Sequence, residues 1–204
     1  MKLFHIIALA STAISLSRAG ERIPAPEVVV CLDGWGMAGP GVLRLAERQA
    51  ISMFAAVDVR IAWRYASLAG CPALPESLII PVRLQAPTPQ DYRVGVLAVA
   101  FPYAGGGSPI TILYDRMVSM ATRYPARQAT ILAHVLVHEI THVLQSSDRH
   151  SEAGVMKARW NGDDYMTMLW ERLAFAPDDA ALIHKGLARL LARAGLSSTK
   201  PPVL

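Results

Sequence analysis

Cysteine is nearly absent from this 204-residue chain, which contains only Cys31 and Cys71. Neither residue belongs to a C-x-x-C pair, and this absence argues against a zinc site built from thiolates. The two cysteines can be separate thiols, and Cys31 fits a buried strand position. In an exported chain, however, a disulfide between them would close a loop of about 40 residues and stabilise the fold by about 3–4 kcal/mol. We favour the disulfide.

Charged residues are also scarce, at 18% of the chain against 52% hydrophobic residues, and this composition excludes a disordered chain. The length suffices for one domain with a proper core and is too short for two comfortable ones, so we assign residues 20–204 to a single domain. The net charge is +4, but the basic residues are scattered. The densest group, Lys185, Arg189 and Arg193, has the spacing of a solvated helix face. We therefore expect no nucleic-acid partner, and we expect a monomer.

Long hydrophobic runs are missing as well. After the N-terminal segment, no stretch reaches the roughly 18 uninterrupted apolar residues that a transmembrane helix needs. The N-terminus instead has the parts of a secretory signal: basic Lys2, a mostly apolar run over 3–16 and a small-x-small cleavage site at 17–19. We predict a signal peptide at 1–19 and a secreted or periplasmic mature chain without stable membrane insertion. An uncleaved N-terminal anchor is the alternative.

The hydrophobic pattern that is present predicts a mixture of strands and helices. Strands are expected at 27–33, 57–65, 77–84, 93–101 and 110–114. Helices are expected at 42–56, 128–146, 164–175 and 178–194. This order predicts one α/β (α+β) domain, with a twisted mixed sheet, a helix packed on it, a long helix beneath and two C-terminal helices.

The long helix carries the sequence His138-Glu139-Ile140-Thr141-His142, an H-E-x-x-H motif. Residues at i and i+4 lie on the same face of a helix, so both imidazoles can reach one metal ion. The intervening Glu139 is placed to act as general base toward the water that such an ion activates. The apolar residues on both sides of the motif favour a buried helix, and we predict a Zn²⁺ site here.

Catalytic zinc usually takes three protein ligands, so the helix pair needs a partner. The irregular segment that follows offers Asp148, His150 and Glu152, and we rank them His150 first, Asp148 second and Glu152 third because neutral imidazole is a good zinc ligand. Glu171, from a later helix, is a further alternative. His134 lies one turn before His138 on the same face. Since three successive turns of one helix cannot easily surround a tetrahedral ion, we take His134 as a supporting or core residue.

The motif, the His150-Ser151 pair and the Gly154-Val155-Met156 turn together resemble the metzincin-type zinc metallopeptidases. The run from 133 to 160 also resembles secreted bacterial proteins with the zincin fold. The resemblance implies a zincin-like fold, His138 and His142 as ligands, Glu139 as general base and Met156 as the Met-turn residue beneath the metal.

Two positions depart from the metzincin pattern. The glycine that ends the motif helix in that clan would fall at 145, where this chain has Gln145, and the third ligand would fall at Asp148. Either Asp148 is the third ligand, or the connection is two residues longer and His150 takes the role. In zincins an edge strand binds the main chain of the substrate. The strand at 110–114, beside the glycines at 105–107, could do so here, although a plain hairpin turn explains these glycines equally well.

These features lead us to expect a secreted zinc-dependent peptidase, a metalloendopeptidase that hydrolyses peptide or protein substrates with Glu139 as general base. A protein with the same fold and metal but little turnover is the alternative. It would act as a zinc-binding or interaction protein, and Gln145 and the irregular spacing of the third ligand favour it.

Overall fold

A computed structural model describes residues 27–71, 77–102, 110–123 and 128–196. The predicted signal peptide at 1–19 and the glycine-rich turn at 105–107 lie outside these ranges. In the described residues, no helix combines the length and the apolar composition needed to cross a membrane.

A five-stranded mixed sheet forms the centre of the fold, as predicted. Its strands are β1 (Glu27–Asp33), β2 (Arg60–Tyr65), β3 (Ser77–Gln85), β4 (Ala98–Val99) and β5 (Ile110–Leu113). They lie in the order β2-β1-β3-β5-β4, with β4 antiparallel to β5 and the other pairs parallel. The interior strand β1 is buried over five consecutive residues, which explains its unbroken apolar sequence.

The helices are α1 (Pro40–Ala55), α2 (Tyr114–Arg123), α3 (Gln128–Gln145), α4 (Gly162–Thr167) and α5 (Pro177–Arg193). Helix α3, which carries the H-E-x-x-H motif, is buried along almost its whole length. It contacts α1, α2 and α5 as well as strands β4 and β5. A helix covered on so many sides is hydrophobic nearly all round. Its polar residues therefore face either a partner inside the fold or an opening in it.

The predicted strand at 93–101 was largely wrong, because only Ala98 and Val99 pair with β5. The preceding backbone is held by a side chain instead. The guanidinium group of Arg116 in α2 donates hydrogen bonds to the carbonyl oxygens of Tyr92, Arg93 and Val96. Carbonyl groups that accept from a guanidinium group need no strand partner, so this segment is anchored without being part of the ladder.

The predicted helices need two corrections. No helix was predicted between β5 and α3, but α2 begins at Tyr114, directly after β5 ends. The helix predicted at 164–175 begins at Gly162 and ends at Thr167, and Asn161 and Asp164 form the cap at its start. Hydrogen-bonded turns continue as far as Glu171. Beyond them, the backbone N–H of Leu173 donates to the imidazole of His134 rather than to a helical carbonyl, so a tertiary contact replaces the helical hydrogen bond there.

The predicted disulfide is confirmed: Cys31 in β1 is bonded to Cys71, which lies just after a short 3-10 turn. Cys31 is completely buried between β2 and β3. The bond therefore ties the interior strand β1 to the connection between β2 and β3.

Helices α3 and α5 cross closely because Gly186 has no side chain. A Cβ atom at this position would lie 2.0 Å from the carbonyl oxygen of Leu144 and 2.9 Å from the Cα of Gln145. Since both neighbours are backbone atoms, they cannot move aside without shifting the end of α3. This crossing fixes where the last turn of the motif helix lies relative to α5.

Reducing the disulfide should lower the free energy of unfolding by about 3–4 kcal/mol, because the unfolded chain regains the entropy of a loop of about 40 residues. Urea unfolding with and without reductant measures this difference. The Cys71→Ala variant is the control and should be insensitive to reductant. Equal stability of the oxidised and reduced parent chain would contradict the prediction.

Replacing Gly186 with Ala should cost about 1–3 kcal/mol, because the added methyl group forces α5 away from α3. Gly41 in α1 is the matched control: it is also helical, and an added Cβ meets no atom within 4 Å. Gly41→Ala should leave the chain as stable as the parent or slightly more stable. Thermal unfolding of both variants tests the pair, and equal effects at the two positions would refute the close-crossing argument.

Candidate metal centre

The imidazole rings of His138 and His142 in α3 are each oriented by a hydrogen bond from Nδ1 to a backbone carbonyl oxygen. The Nδ1 atom of His138 lies 2.8 Å from the carbonyl oxygen of Val155, and Nδ1 of His142 lies 2.9 Å from the carbonyl oxygen of Ser147. A carbonyl oxygen can only accept, so each Nδ1 carries the proton and donates. Each neutral ring therefore presents the lone pair of Nε2, which is the form that binds a metal ion.

The two Nε2 atoms face one another at 3.1 Å. With both protons on Nδ1, neither nitrogen can donate to the other, and two lone pairs at this distance repel. A cation between them removes the conflict. Two nitrogens bound about 2.0–2.1 Å from one tetrahedral ion lie about 3.3 Å apart. The donor set and its spacing therefore fit a metal ion.

The structure brings His150 to the same place. Candidate ligand atoms of His138, His142 and His150 all lie within 4.8 Å of one another. The ring centroid of His150 is 5.3 Å from that of His138 and 4.8 Å from that of His142. His142 is buried and His138 partly buried, whereas His150 is exposed, so the cluster opens toward solvent on the side of His150. Three histidines are thus positioned to bind one metal ion.

The other proposed ligands stand apart from this cluster. Asp148 lines the same cleft as the three histidines but does not belong to the group whose ligand atoms converge. Glu152 is an exposed side chain outside that group. Glu171 lines a second cavity, together with Gln49 and Thr130. Within the described residues, the arrangement favours His150 as the third ligand, which was also the first choice from the sequence.

Burial keeps the histidines of α3 neutral. It is the main cause that lowers the pKa of His138 to about 4, and it also lowers the pKa of His142. Desolvation disfavours a charged imidazolium, so these rings stay unprotonated at neutral pH. Metal ligands must be deprotonated, and the protein environment therefore prepares the site for a cation.

Glu139 lines the same cleft as His138 and His142. The residue is only 9% exposed. Burial raises its pKa to about 8, because a carboxylate loses hydration when it leaves water. A buried carboxyl group beside a ligand cluster has the environment typical of a catalytic acid or base.

His134 is separated from the cluster by its own hydrogen bonds. Its Nδ1 donates to the carbonyl oxygen of Thr130 at 2.7 Å, and its Nε2 accepts from the backbone N–H of Leu173 at 3.1 Å. Both ring nitrogens are therefore used, and the ring is fully buried. The prediction of a supporting or core residue is confirmed, and His134 holds the segment after α4 against α3.

Met156 is completely buried, directly after the residue whose carbonyl orients His138. Its own carbonyl oxygen accepts from the backbone N–H of Ser151 at 2.8 Å, which closes the loop that carries His150. Gly154 makes this turn possible: its φ is +76°, and a Cβ atom there would lie 2.2 Å from the carbonyl oxygen of Ala174. The Gly154-Val155-Met156 turn thus supports both sides of the cluster.

Two supports of the site were not predicted from sequence. The indole ring of Trp160 packs edge-on against His138, with centroids 5.7 Å apart, and also against His134 and Tyr165. The carbonyl groups that orient His138 and His142 come from the loop after α3. Backbone carbonyl groups leave no trace in a residue pattern, and Trp160 had only the general signal of a core aromatic residue.

The cluster lies at the base of a cleft of about 640 Å³. One wall is the segment 94–102, which consists of apolar residues and one glycine and includes β4. In the part of the chain that the structure describes, β4 is the edge strand beside the cleft, whereas β5 is interior. From the sequence, the strand at 110–114 was one option for the substrate-binding edge, with a plain hairpin turn as the equal alternative. The edge strand here is β4 instead. Trp160 and Tyr165 also line the cleft.

No protein-family model matches this chain, and no curated protein is similar enough to it to count as a match. The chemistry of the site must therefore be argued from its own residues.

Replacing His150 with Ala should weaken zinc binding by more than about 100-fold, because even the partners of metal ligands contribute 10–100-fold to affinity. Glu152→Ala is the matched control from the same loop and should bind zinc like the parent chain. Titration against a chelator of known affinity measures both. A larger loss in Asp148→Ala than in His150→Ala would move the third-ligand assignment to Asp148.

Proposed function

We propose that this chain is a secreted zinc-dependent peptidase with a zincin-like fold. One observation carries the proposal: three imidazoles and a buried glutamate open onto a single cleft whose wall is an edge strand. Three histidines with one side open to solvent match the ligand count of catalytic zinc sites, which keep one position for water or substrate. Structural zinc sites, by contrast, are closed by four protein ligands.

His138, His142 and His150 would hold the ion. When bound, zinc supplies Lewis acidity to a substrate carbonyl oxygen and lowers the pKa of water at the site. The hydrogen bonds donated to the carbonyl oxygens of Val155 and Ser147 keep the two helix imidazoles in the orientation that this requires. Met156 is completely buried, and it would be the Met-turn residue, which supports this loop from the protein interior.

Glu139 is the general base of the proposed reaction. It accepts a proton from the attacking water and returns that proton to the leaving amine, so that a peptide bond breaks and one water molecule is consumed. As the residue next to His138, it would lie beside the bound ion without being a ligand. Tyr165 also lines the cleft, and we propose that it faces the oxygen of the scissile carbonyl.

The substrate is proposed to be an extended peptide that pairs with β4. Edge strands present unpaired backbone groups, and peptides bind them by adding a strand. The adjoining wall offers apolar contacts for the side chains of such a peptide, since Val94 is fully exposed and Phe101 is 59% exposed. The proposal includes export of the chain, which the N-terminal pattern supports. The Cys31–Cys71 disulfide also supports it, because such bonds persist in oxidising compartments.

Replacing Glu139 with Gln should leave zinc bound and lower kcat by about 10²–10⁴-fold, the usual contribution of a general base. Glu152→Gln makes the same chemical change at an exposed carboxylate of the neighbouring loop, and it should cleave like the parent. Hydrolysis of a peptide library and of casein, with the zinc content of each variant, measures both effects.

Two outcomes of this experiment would contradict the proposal. Unchanged cleavage by Glu139→Gln would show that another group is the base. Tightly held zinc without any hydrolysis by the parent chain would instead favour the alternative, a zinc-binding or interaction protein with little turnover.

A further inference from the structure

The residues on both sides of His150 share one anchoring atom. The hydroxyl group of Ser151 donates to Oδ1 of Asp179 at 2.7 Å, and Nη1 of Arg149 donates to the same oxygen at 3.2 Å. Asp179 lies in the first turn of α5, far from the motif in sequence. His150 is thus the middle residue of a three-residue segment whose two ends are bound to one carboxylate.

The carboxylate of Asp179 is well suited to fix the position of the residues that it binds. Asp179 is completely buried, and its second oxygen, Oδ2, accepts from the backbone N–H of Ala176 at 2.9 Å. Three donors therefore hold it, one of them a cation. Charge-assisted hydrogen bonds are roughly twice as strong as neutral ones, and burial strengthens them further. The backbone of the same residue also accepts a hydrogen bond from Gln145, at the end of α3, at 3.4 Å.

The third imidazole needs such support more than the other two. His138 and His142 project from a buried helix, and each donates Nδ1–H to a backbone carbonyl group. His150 projects from an irregular, exposed loop. Ligands on a loop reach the correct geometry only if the surrounding structure fixes the loop.

We propose that Asp179 is a positioning residue for the metal centre: through Ser151 and Arg149 it fixes the loop so that His150 faces the two helix imidazoles. Helix α5 is then part of the site although none of its residues touches the ion. This inference rests on the proposed role of His150 as the third ligand. The inference adds that metal affinity also depends on Asp179, which acts only through the loop that carries His150.

The two carboxylate oxygens of Asp179 make different contacts, so the positioning role can be tested separately from a purely structural role. Oδ2 caps the start of α5, and its loss should lower stability alone. Oδ1 holds the loop, and its loss should lower metal affinity. Ser151→Ala removes the hydroxyl donor to Oδ1 and leaves the cap of α5 in place. Asp179→Ala removes both contacts.

The experiment measures zinc affinity by chelator competition in Ser151→Ala, Asp179→Ala and the double variant, with the unfolding temperature of each metal-free chain. We expect each single variant to bind zinc about 10–100-fold more weakly, as for other groups that orient metal ligands. The double variant should lose no more than Asp179→Ala alone, because both changes break the same connection. The absorption spectrum of bound Co²⁺ should change in the same variants, since its ligand geometry is altered.

Asp178→Ala is the matched control. Asp178 is the adjacent residue of α5 and lies 3.9 Å from Arg149, but its side chain is 83% exposed. It should leave zinc affinity and the Co²⁺ spectrum unchanged. Parent-like zinc affinity in Ser151→Ala and in the folded fraction of Asp179→Ala would overturn the inference. If the parent chain binds zinc but His150→Ala binds it equally well, the proposed ligand role fails instead, and the inference fails with it.

Discussion

The hydrogen bonds that the Nδ1–H groups of His138 and His142 donate to two backbone carbonyl oxygens are the constraint on which the rest of the site depends. They select the tautomer, fix the rotation of each ring and aim both Nε2 lone pairs at one point. The carbonyl groups of Ser147 and Val155 belong to the loop that also carries His150. One loop therefore orients two helix ligands and supplies the third imidazole of the cluster.

That loop is in turn held from three directions. Its end pairs with the segment after α4 through the bond from Val155 to Ala174, and its middle is closed by the bond between Ser151 and Met156. The carboxylate of Asp179 binds it from α5. Because two of these supports come from other parts of the chain, the loop reaches its position only when the fold is complete. The close crossing at Gly186 also places α5 against the last turn of α3, from which the loop starts.

Elements that depend on interactions between residues close in sequence were predicted correctly, whereas elements that depend on distant residues were not. The strand β1, the helix α3 and the ends of α5 were predicted well, because their signals are hydrophobic period, caps and proline, which are local. The strand at 93–101 and the helix at 164–175 failed for a common reason. In both, a distant side chain, Arg116 or His134, takes backbone groups that a regular element would have used. Local propensity cannot anticipate a donor or acceptor brought from elsewhere.

The sequence by itself determined the chemistry that is available: two imidazoles one helical turn apart, a carboxylate between them and a third histidine in the following turn. It also determined that the disulfide, if formed, joins Cys31 to Cys71, since no other cysteine exists. Only the tertiary structure decided which group of the loop approaches the helix, which strand forms the wall of the cleft and which carboxylate binds the two neighbours of His150. Those outcomes depend on atoms that are far apart along the chain, and a hydrogen bond or a lone pair has direction only once the backbone around it is fixed in space.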